Sequence, residues 1–153
     1  MLLPVFVAAA LASAPVPSPV QVIATVPVWT QTVKLPPPDG RTLVTDGRLA
    51  LDVAVAKPAV RPSASLPPDA AKAFASYLAA TYPNEFGLDD LHEGKTQTVF
   101  VGPGDLGLST HYVLFLRRNL PKIRFRSKGP DDPVIIVLDG RPVGLVMPMV
   151  MPH

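Results

Sequence analysis

Apolar and polar residues alternate along much of the chain, with the period of two that is typical of a half-buried strand. The alternation is clearest over 29–35 and again over 49–55. Between these runs, Pro36–Gly40 contains turn-forming residues, and Gly47 interrupts the approach to the second run, which indicates a bulge or a close approach of the backbone. The pattern predicts a hairpin at the start of an antiparallel sheet.

Helical periodicity is clearest from Ala70 to about Tyr82. Pro67–Asp69 favours a helix start there, and Pro83 a stop. The apolar stretch Leu2–Ala14 has two interpretations that the sequence leaves open. It is a short buried helix ended by Pro15, or it is a secretory signal peptide without the usual basic residues.

Further strands are predicted in the second half of the chain, at 96–101, 106–116, 134–138 and 143–149. Gly102–Asp105 and Asp139–Pro142 have the composition of hairpin loops. Two helices, at 1–14 and 70–82, among paired strands predict an α+β fold with an antiparallel sheet. We expect residues 1–153 to form a single domain.

Composition limits both the fold and the classes of function. Proline contributes 20 of the 153 residues, far above the usual share of about 5%, which excludes long helical bundles. No apolar run reaches the ~20 residues of a membrane-spanning helix, so we expect no membrane association. The chain has no cysteine and a net charge of only +2, which removes thiolate metal sites and gives little overall attraction to a polyanion.

Catalytic and metal-binding motifs are missing from the sequence. The histidines, at 92, 111 and 153, are scattered and lack the spacing of a zinc site. The acidic pairs Asp89–Asp90 and Asp131–Asp132 lie in polar, turn-like contexts, where solvated carboxylates are usual. We therefore predict a protein without enzymatic activity, metal or cofactor.

Two short stretches about a hundred residues apart carry the functional hypothesis. They read Thr45-Asp46-Gly47-Arg48-Leu49-Ala50-Leu51 and Leu145-Val146-Met147-Pro148-Met149. They resemble two motifs of bacterial DNA polymerase sliding clamps, a strand segment of the form T-D-G-H-R-L-A and a C-terminal tail reading V-M-P-M-R-L. In this chain the motif histidine is missing, and the tail continues differently. The resemblance implies the fold of one clamp domain, with an apolar groove that captures short peptides.

The resemblance also implies which residues line the groove. One wall would consist of Thr45, Gly47, Arg48 and Leu49, and the other of Leu145, Val146, Met147, Pro148 and Met149. The competing interpretation is a plain turn and an apolar core strand. Pro148 argues against it, because a proline ends ladder pairing and leaves both methionines on a free tail. Expected partners are DNA polymerase or other proteins with a clamp-binding motif, and a ring would require head-to-tail association of several copies.

Six basic residues lie close together in the sequence: Arg117, Arg118, Lys122, Arg124, Arg126 and Lys128. If 122–128 is extended, its four basic side chains share one face, and Ile123 and Phe125 occupy the other. Two interpretations remain open. The strand is an edge protected from aggregation by its charges, or it is a face that contacts nucleic-acid phosphates.

The leading hypothesis is a non-enzymatic, clamp-like protein of DNA replication or repair in the cytoplasm. It would act through the apolar peptide-binding groove, with DNA as an additional contact. One alternative is a small exported α+β protein from which 1–14 has been removed. A second alternative is a nucleic-acid-binding module that uses the 122–128 face.

Overall fold

Ten strands and three α-helices follow one another in the computed structural model, which describes residues 27–149. The prediction for 1–14 lies outside the described residues. The elements are β1 Gln31–Lys34, β2 Thr42–Thr45, β3 Leu49–Asp52, α1 Val53–Ala56, α2 Pro68–Ala79, β4 Asn84–Gly87, β5 His92–Glu93, β6 Val99–Gly102, β7 Leu106–Ser109, α3 Thr110–Asn119, β8 Arg124–Ser127, β9 Val134–Leu138 and β10 Arg141–Val146.

A seven-stranded sheet in the order β1-β2-β3-β10-β9-β8-β4 forms the centre of the fold, and each neighbouring pair in it is antiparallel. Strands β5, β6 and β7 make a second, three-stranded antiparallel sheet. The fold is therefore α+β with antiparallel sheets, which confirms the class predicted from the sequence.

Both faces of the large sheet are covered. One face packs against α2, where Ile135 and Leu78 belong to the same apolar cluster. The other face packs against α3 and the small sheet, where Ile136 and Phe115 belong to a second cluster. A strand buried on both faces needs apolar residues at successive positions, and this accounts for the uninterrupted apolar run Val134–Leu138.

Two features position β10 at the centre of the large sheet. The hairpin from β9 turns at Asp139 and Gly140, whose φ values of 52° and 78° fit a two-residue type I′ loop, shorter than the predicted loop Asp139–Pro142. In β10 itself, a Cβ on Gly144 would collide with the carbonyl oxygen of Ala50 in β3. Only glycine permits this close approach, which pairs β10 with β3 on one side and with β9 on the other.

The strand predicted over 106–116 is wrong in its second half. It ends at Ser109, and α3 begins at Thr110. Tyr112, Val113 and Leu116 are buried on the side of α3 that faces the core. These three positions have helical spacing, so one side of the helix can pack on the core. This packing outweighs the preference of residues such as Tyr and Val for strands.

Two further element boundaries differ from the sequence predictions. The run predicted as a strand through 55 becomes helical at α1, where Asp52 Oδ1 accepts a hydrogen bond of 2.9 Å from the Ala54 N–H and caps the helix. The helix predicted over 70–82 is observed as α2, and it starts at Pro68 because proline fits the first helical position. The described part thus contains one predicted helix, α2, and two unpredicted ones.

Candidate functional site

Asp46 gives the turn between β2 and β3 a fixed shape. Its Oδ1 accepts hydrogen bonds from the N–H groups of Arg48, at 2.9 Å, and Leu49, at 2.8 Å. Thr45 Oγ1 accepts a further bond of 3.0 Å from the Gly47 N–H, and Gly47 has a φ of 100°, which favours glycine. The side-chain oxygens hold the backbone as in an Asx turn, and the Arg48 side chain is left exposed.

The segment after β10 crosses from the large sheet to the small one. The Met147 N–H donates to the Arg48 carbonyl oxygen, and the Met149 N–H donates to the Gly107 carbonyl oxygen, both at 2.8 Å. Strand pairing ends at Val146, before Pro148, as a proline at this position predicts. The predicted free tail is wrong, however, because backbone hydrogen bonds hold the residues on both sides of Pro148.

Tyr112, in the first turn of α3, joins that helix to the turn. Its hydroxyl donates a hydrogen bond of 2.7 Å to Asp46 Oδ2. Burial, and then the hydrogen bond to Asp46, raise the pKa of Tyr112 well above its usual range, because both favour the protonated phenol, which is the form that donates to Asp46. His111 packs beside it, with ring centroids 5.5 Å apart in an edge-to-face arrangement.

A surface cavity of about 320 Å³ lies between the turn, the tail and the start of α3. We call it the methionine groove, and its lining consists of Arg48, Ser109, His111, Tyr112, Met147 and Met149. The Met147 residue is 37% exposed. Thioether side chains adapt to apolar groups of different shapes. With polar groups around two methionines, the groove is suited to an apolar side chain presented on a polar backbone.

The structure brings the two predicted segments together within one chain. Three of the predicted residues line the methionine groove: Arg48, Met147 and Met149. Four others lie in the core and are at most 3% exposed: Thr45, Leu49, Leu145 and Val146. Leu145 packs on the opposite face of the sheet, in the cluster that contains α2 residues. Gly47 and Pro148 shape the turn and the tail, so most of the predicted residues support the groove without lining it.

Three residues of the groove lining, from α3 and the position before it, were not predicted from the sequence. Ser109, His111 and Tyr112 lie in the run predicted as one strand. The helical spacing of Tyr112, Val113 and Leu116, after a serine that commonly starts helices, is the signal that would have found them.

Glu85 on β4 pairs with two of the predicted nucleic-acid-binding residues. Its Oε2 lies 2.9 Å from Arg124 Nε, and its Oε1 lies 3.1 Å from Arg126 Nε. Hydrogen bonds from Arg124 and then Arg126 lower the pKa of Glu85 below its usual range. Phe125 between them is fully buried, which confirms the predicted alternation along β8. The interpretation of this strand as a sheet edge is wrong, because β8 pairs with β9 on one side and with β4 on the other.

Aromatic rings contact two more of the basic residues. The Arg117 guanidinium lies 4.8 Å from the centre of the Phe100 ring, and Lys128 Nζ lies 5.0 Å from the centre of the Tyr82 ring. Cations are attracted to the faces of such rings. The remaining two basic residues are exposed: Arg118 and Lys122. Four of the six therefore have partners within the molecule.

A larger cavity, about 620 Å³, lies between 55–60 and the end of α3. Its lining is mostly apolar, with Lys57 as the one charged residue among those described. Trp29 contacts Phe115 there edge to face, with ring centroids 6.3 Å apart. This cavity contains none of the residues that the sequence predicts for the peptide-binding groove, and it shares no lining residue with the methionine groove.

The described range, 27–149, also bears on metal binding and on membrane insertion. In that part of the chain, His, Asp and Glu side chains form no group of three or more that could hold a metal ion. None of the helices described there combines the length and hydropathy needed to cross a bilayer.

No protein-family model, curated protein or solved structure matches this chain.

Proposed function

We propose that the protein is a clamp-like, non-enzymatic accessory protein of DNA replication or repair, acting in the cytoplasm. It binds short peptides of DNA polymerase or other clamp-binding proteins in the methionine groove. One observation carries the proposal: the hydrogen bond from the Met147 N–H to the Arg48 carbonyl oxygen joins the two segments of the resemblance at one cavity.

The size and lining of the groove favour a peptide as the ligand. A volume of about 320 Å³ is at the lower end of the range for ligand pockets, which suits one or two anchoring side chains. Met147 and Met149 supply adaptable apolar contact for such an anchor. Because the turn and the tail belong to one chain, peptide binding needs no second copy of the protein. A head-to-tail ring would be needed only to encircle DNA.

Peptide titration tests the proposal. A fluorescein-labelled clamp-binding peptide is titrated by fluorescence anisotropy against wild type and against the Met147→Ala, Met149→Ala double variant. We expect the affinity to fall by about tenfold or more, because truncation of two anchoring contacts usually costs well over 1 kcal/mol. The backbone hydrogen bonds of both positions do not depend on their side chains, so the fold should persist, which circular dichroism checks.

A matched control removes apolar surface elsewhere. Val28 and Val60 are 77% and 81% exposed, and Val60 lines the larger cavity. The Val28→Ala, Val60→Ala double variant should bind the peptide like wild type. Equal affinity of wild type and the methionine variant would rule out the groove as the binding site.

Intact mass of the protein from cells tests the compartment, since loss of 1–14 would indicate export.

A further inference from the structure

We infer that the methionine groove selects peptides in which acidic side chains flank the apolar anchor, and that Arg48 recognises their carboxylates. The inference rests on the proposed peptide-binding function and adds the chemistry of the partner. Two observations carry it: the positive charge of the groove, and the hydrogen bonds that occupy the neighbouring carboxylate of Asp46.

Arg48 is the permanently charged residue among the six that line the groove in the described structure. Its backbone is fixed, because its N–H donates to Asp46 and its carbonyl oxygen accepts from Met147. Its side chain is exposed, and no carboxylate within 27–149 forms an ion pair with it. The guanidinium is thus available beside the two thioethers.

Asp46 is the acid nearest to Arg48 in sequence, but both of its carboxylate oxygens already accept hydrogen bonds within the protein. Oδ1 accepts from the N–H groups of Arg48 and Leu49, and Oδ2 accepts from the Tyr112 hydroxyl. Three donors stabilise this carboxylate where it is, within the turn. The carboxylate therefore acts on the backbone of Arg48, and the guanidinium keeps its donors for a ligand.

The arrangement complements an acidic peptide better than a basic one. A guanidinium presents N–H donors in a planar fork that matches a carboxylate. His111, which also lines the groove, carries no negative charge that would oppose a carboxylate. At a solvent-exposed rim such a charge pair contributes modestly to affinity and more to the choice of partner. A lysine next to the anchor would be repelled by Arg48.

Three versions of the labelled clamp-binding peptide test the inference. They are blocked at both ends and differ only at the two residues that flank the apolar anchor, which are Asp, Asn or Lys. Wild type should bind the Asp version about fivefold more tightly than the Asn version, and the Lys version most weakly. Arg48→Gln should reduce the differences to less than about twofold, and Arg48→Glu should reverse the order.

The control is Arg61→Gln, which removes the same charge at an exposed position outside the groove lining. It should keep the wild-type order and so separate local recognition from the net charge of the protein. Equal affinity of wild type for the three peptides, or full preference retained in Arg48→Gln, would overturn the inference while the proposed function stands. If wild type binds none of the peptides, the proposed function fails and the inference with it.

Discussion

The arginines at two places on the large sheet differ in their surroundings. Along β8, Arg124 and Arg126 lie in a sequence cluster of basic residues, yet both pair with Glu85. At the β2–β3 turn, Arg48 stands two residues from an acid, yet within 27–149 it has no ion-pair partner. Charge clustered along a chain is thus not the same as charge available to a partner, because neighbouring strands and turns decide which groups are occupied.

The difference has a geometric origin. Glu85 lies directly opposite Arg126 in the pairing of β4 with β8, so a glutamate distant in sequence meets the basic face. Asp46 is close to Arg48 in sequence, but in a tight turn a short carboxylate bonds to the nearby N–H groups of the backbone. The first carboxylate is exposed and the second is half-buried, which predicts different costs for removing them.

Removal of the Asp46 carboxylate should have the largest effect on stability. Asp46→Ala breaks two hydrogen bonds to backbone N–H groups and one from Tyr112, which should lower the free energy of unfolding by about 3 kcal/mol. The turn would lose its shape, and peptide binding at the methionine groove should be lost with it. Urea denaturation and the peptide titration measure the two effects.

Asp46→Asn is the matched variant for this prediction. The amide oxygen can still accept from the N–H groups of Arg48 and Leu49, so we expect a loss of only about 1 kcal/mol. A loss below that value for Asp46→Ala would show that the turn does not depend on its carboxylate. The contrast with exposed Glu85 would then disappear.

The sequence predicts features that depend on local chemistry, and it fails where distant residues decide. The turn at Asp139 and Gly140, the helix α2 and the α+β class follow from turn residues, helical spacing and strand alternation. The start of α3 at Thr110 was missed, because residues such as Tyr112 and Val113 favour strands as well as showing helical spacing, and packing against the large sheet decides for the helix.

The candidate site divides in the same way. Arg48, Met147 and Met149 were predicted from two short segments and do line one cavity. The burial of Leu49 and Leu145 in the core was not predicted, because burial depends on which elements pack against each face of the sheet. The pairing of Arg124 with Glu85 depends on strand register across the fold, which no local pattern contains.

Tyr112→Phe tests the same turn with a smaller change. Loss of the hydroxyl that bonds to Asp46 should cost about 1 kcal/mol at neutral pH. Because burial, and then Asp46, raise the pKa of Tyr112 in the folded state, its contribution is complete below the unfolded pKa of about 10 and is lost as the pH rises above that value.

Urea denaturation between pH 8 and 11 measures this dependence. Above about pH 10, wild-type stability should fall more steeply than that of Tyr112→Phe, by up to about 1.4 kcal/mol per pH unit. Other tyrosines and lysines titrate in both proteins and cancel from the comparison. Parallel curves would mean that Tyr112 is not held as a protonated donor to Asp46.

Glu85→Gln tests the basic face and should change stability least, because the pairs it removes are exposed to solvent. With Glu85 present, wild type should bind duplex DNA weakly, with a shallow dependence on salt. Glu85→Gln makes Arg124 and Arg126 available for phosphates, so the slope of log affinity against log salt should steepen by about 2.

Asp69→Asn, the same charge change at the start of α2, should leave the slope unaltered. A wild-type slope near −5, as six phosphate contacts would give, would instead show that the clustered charges act on DNA despite Glu85, and the contrast with Arg48 would not hold.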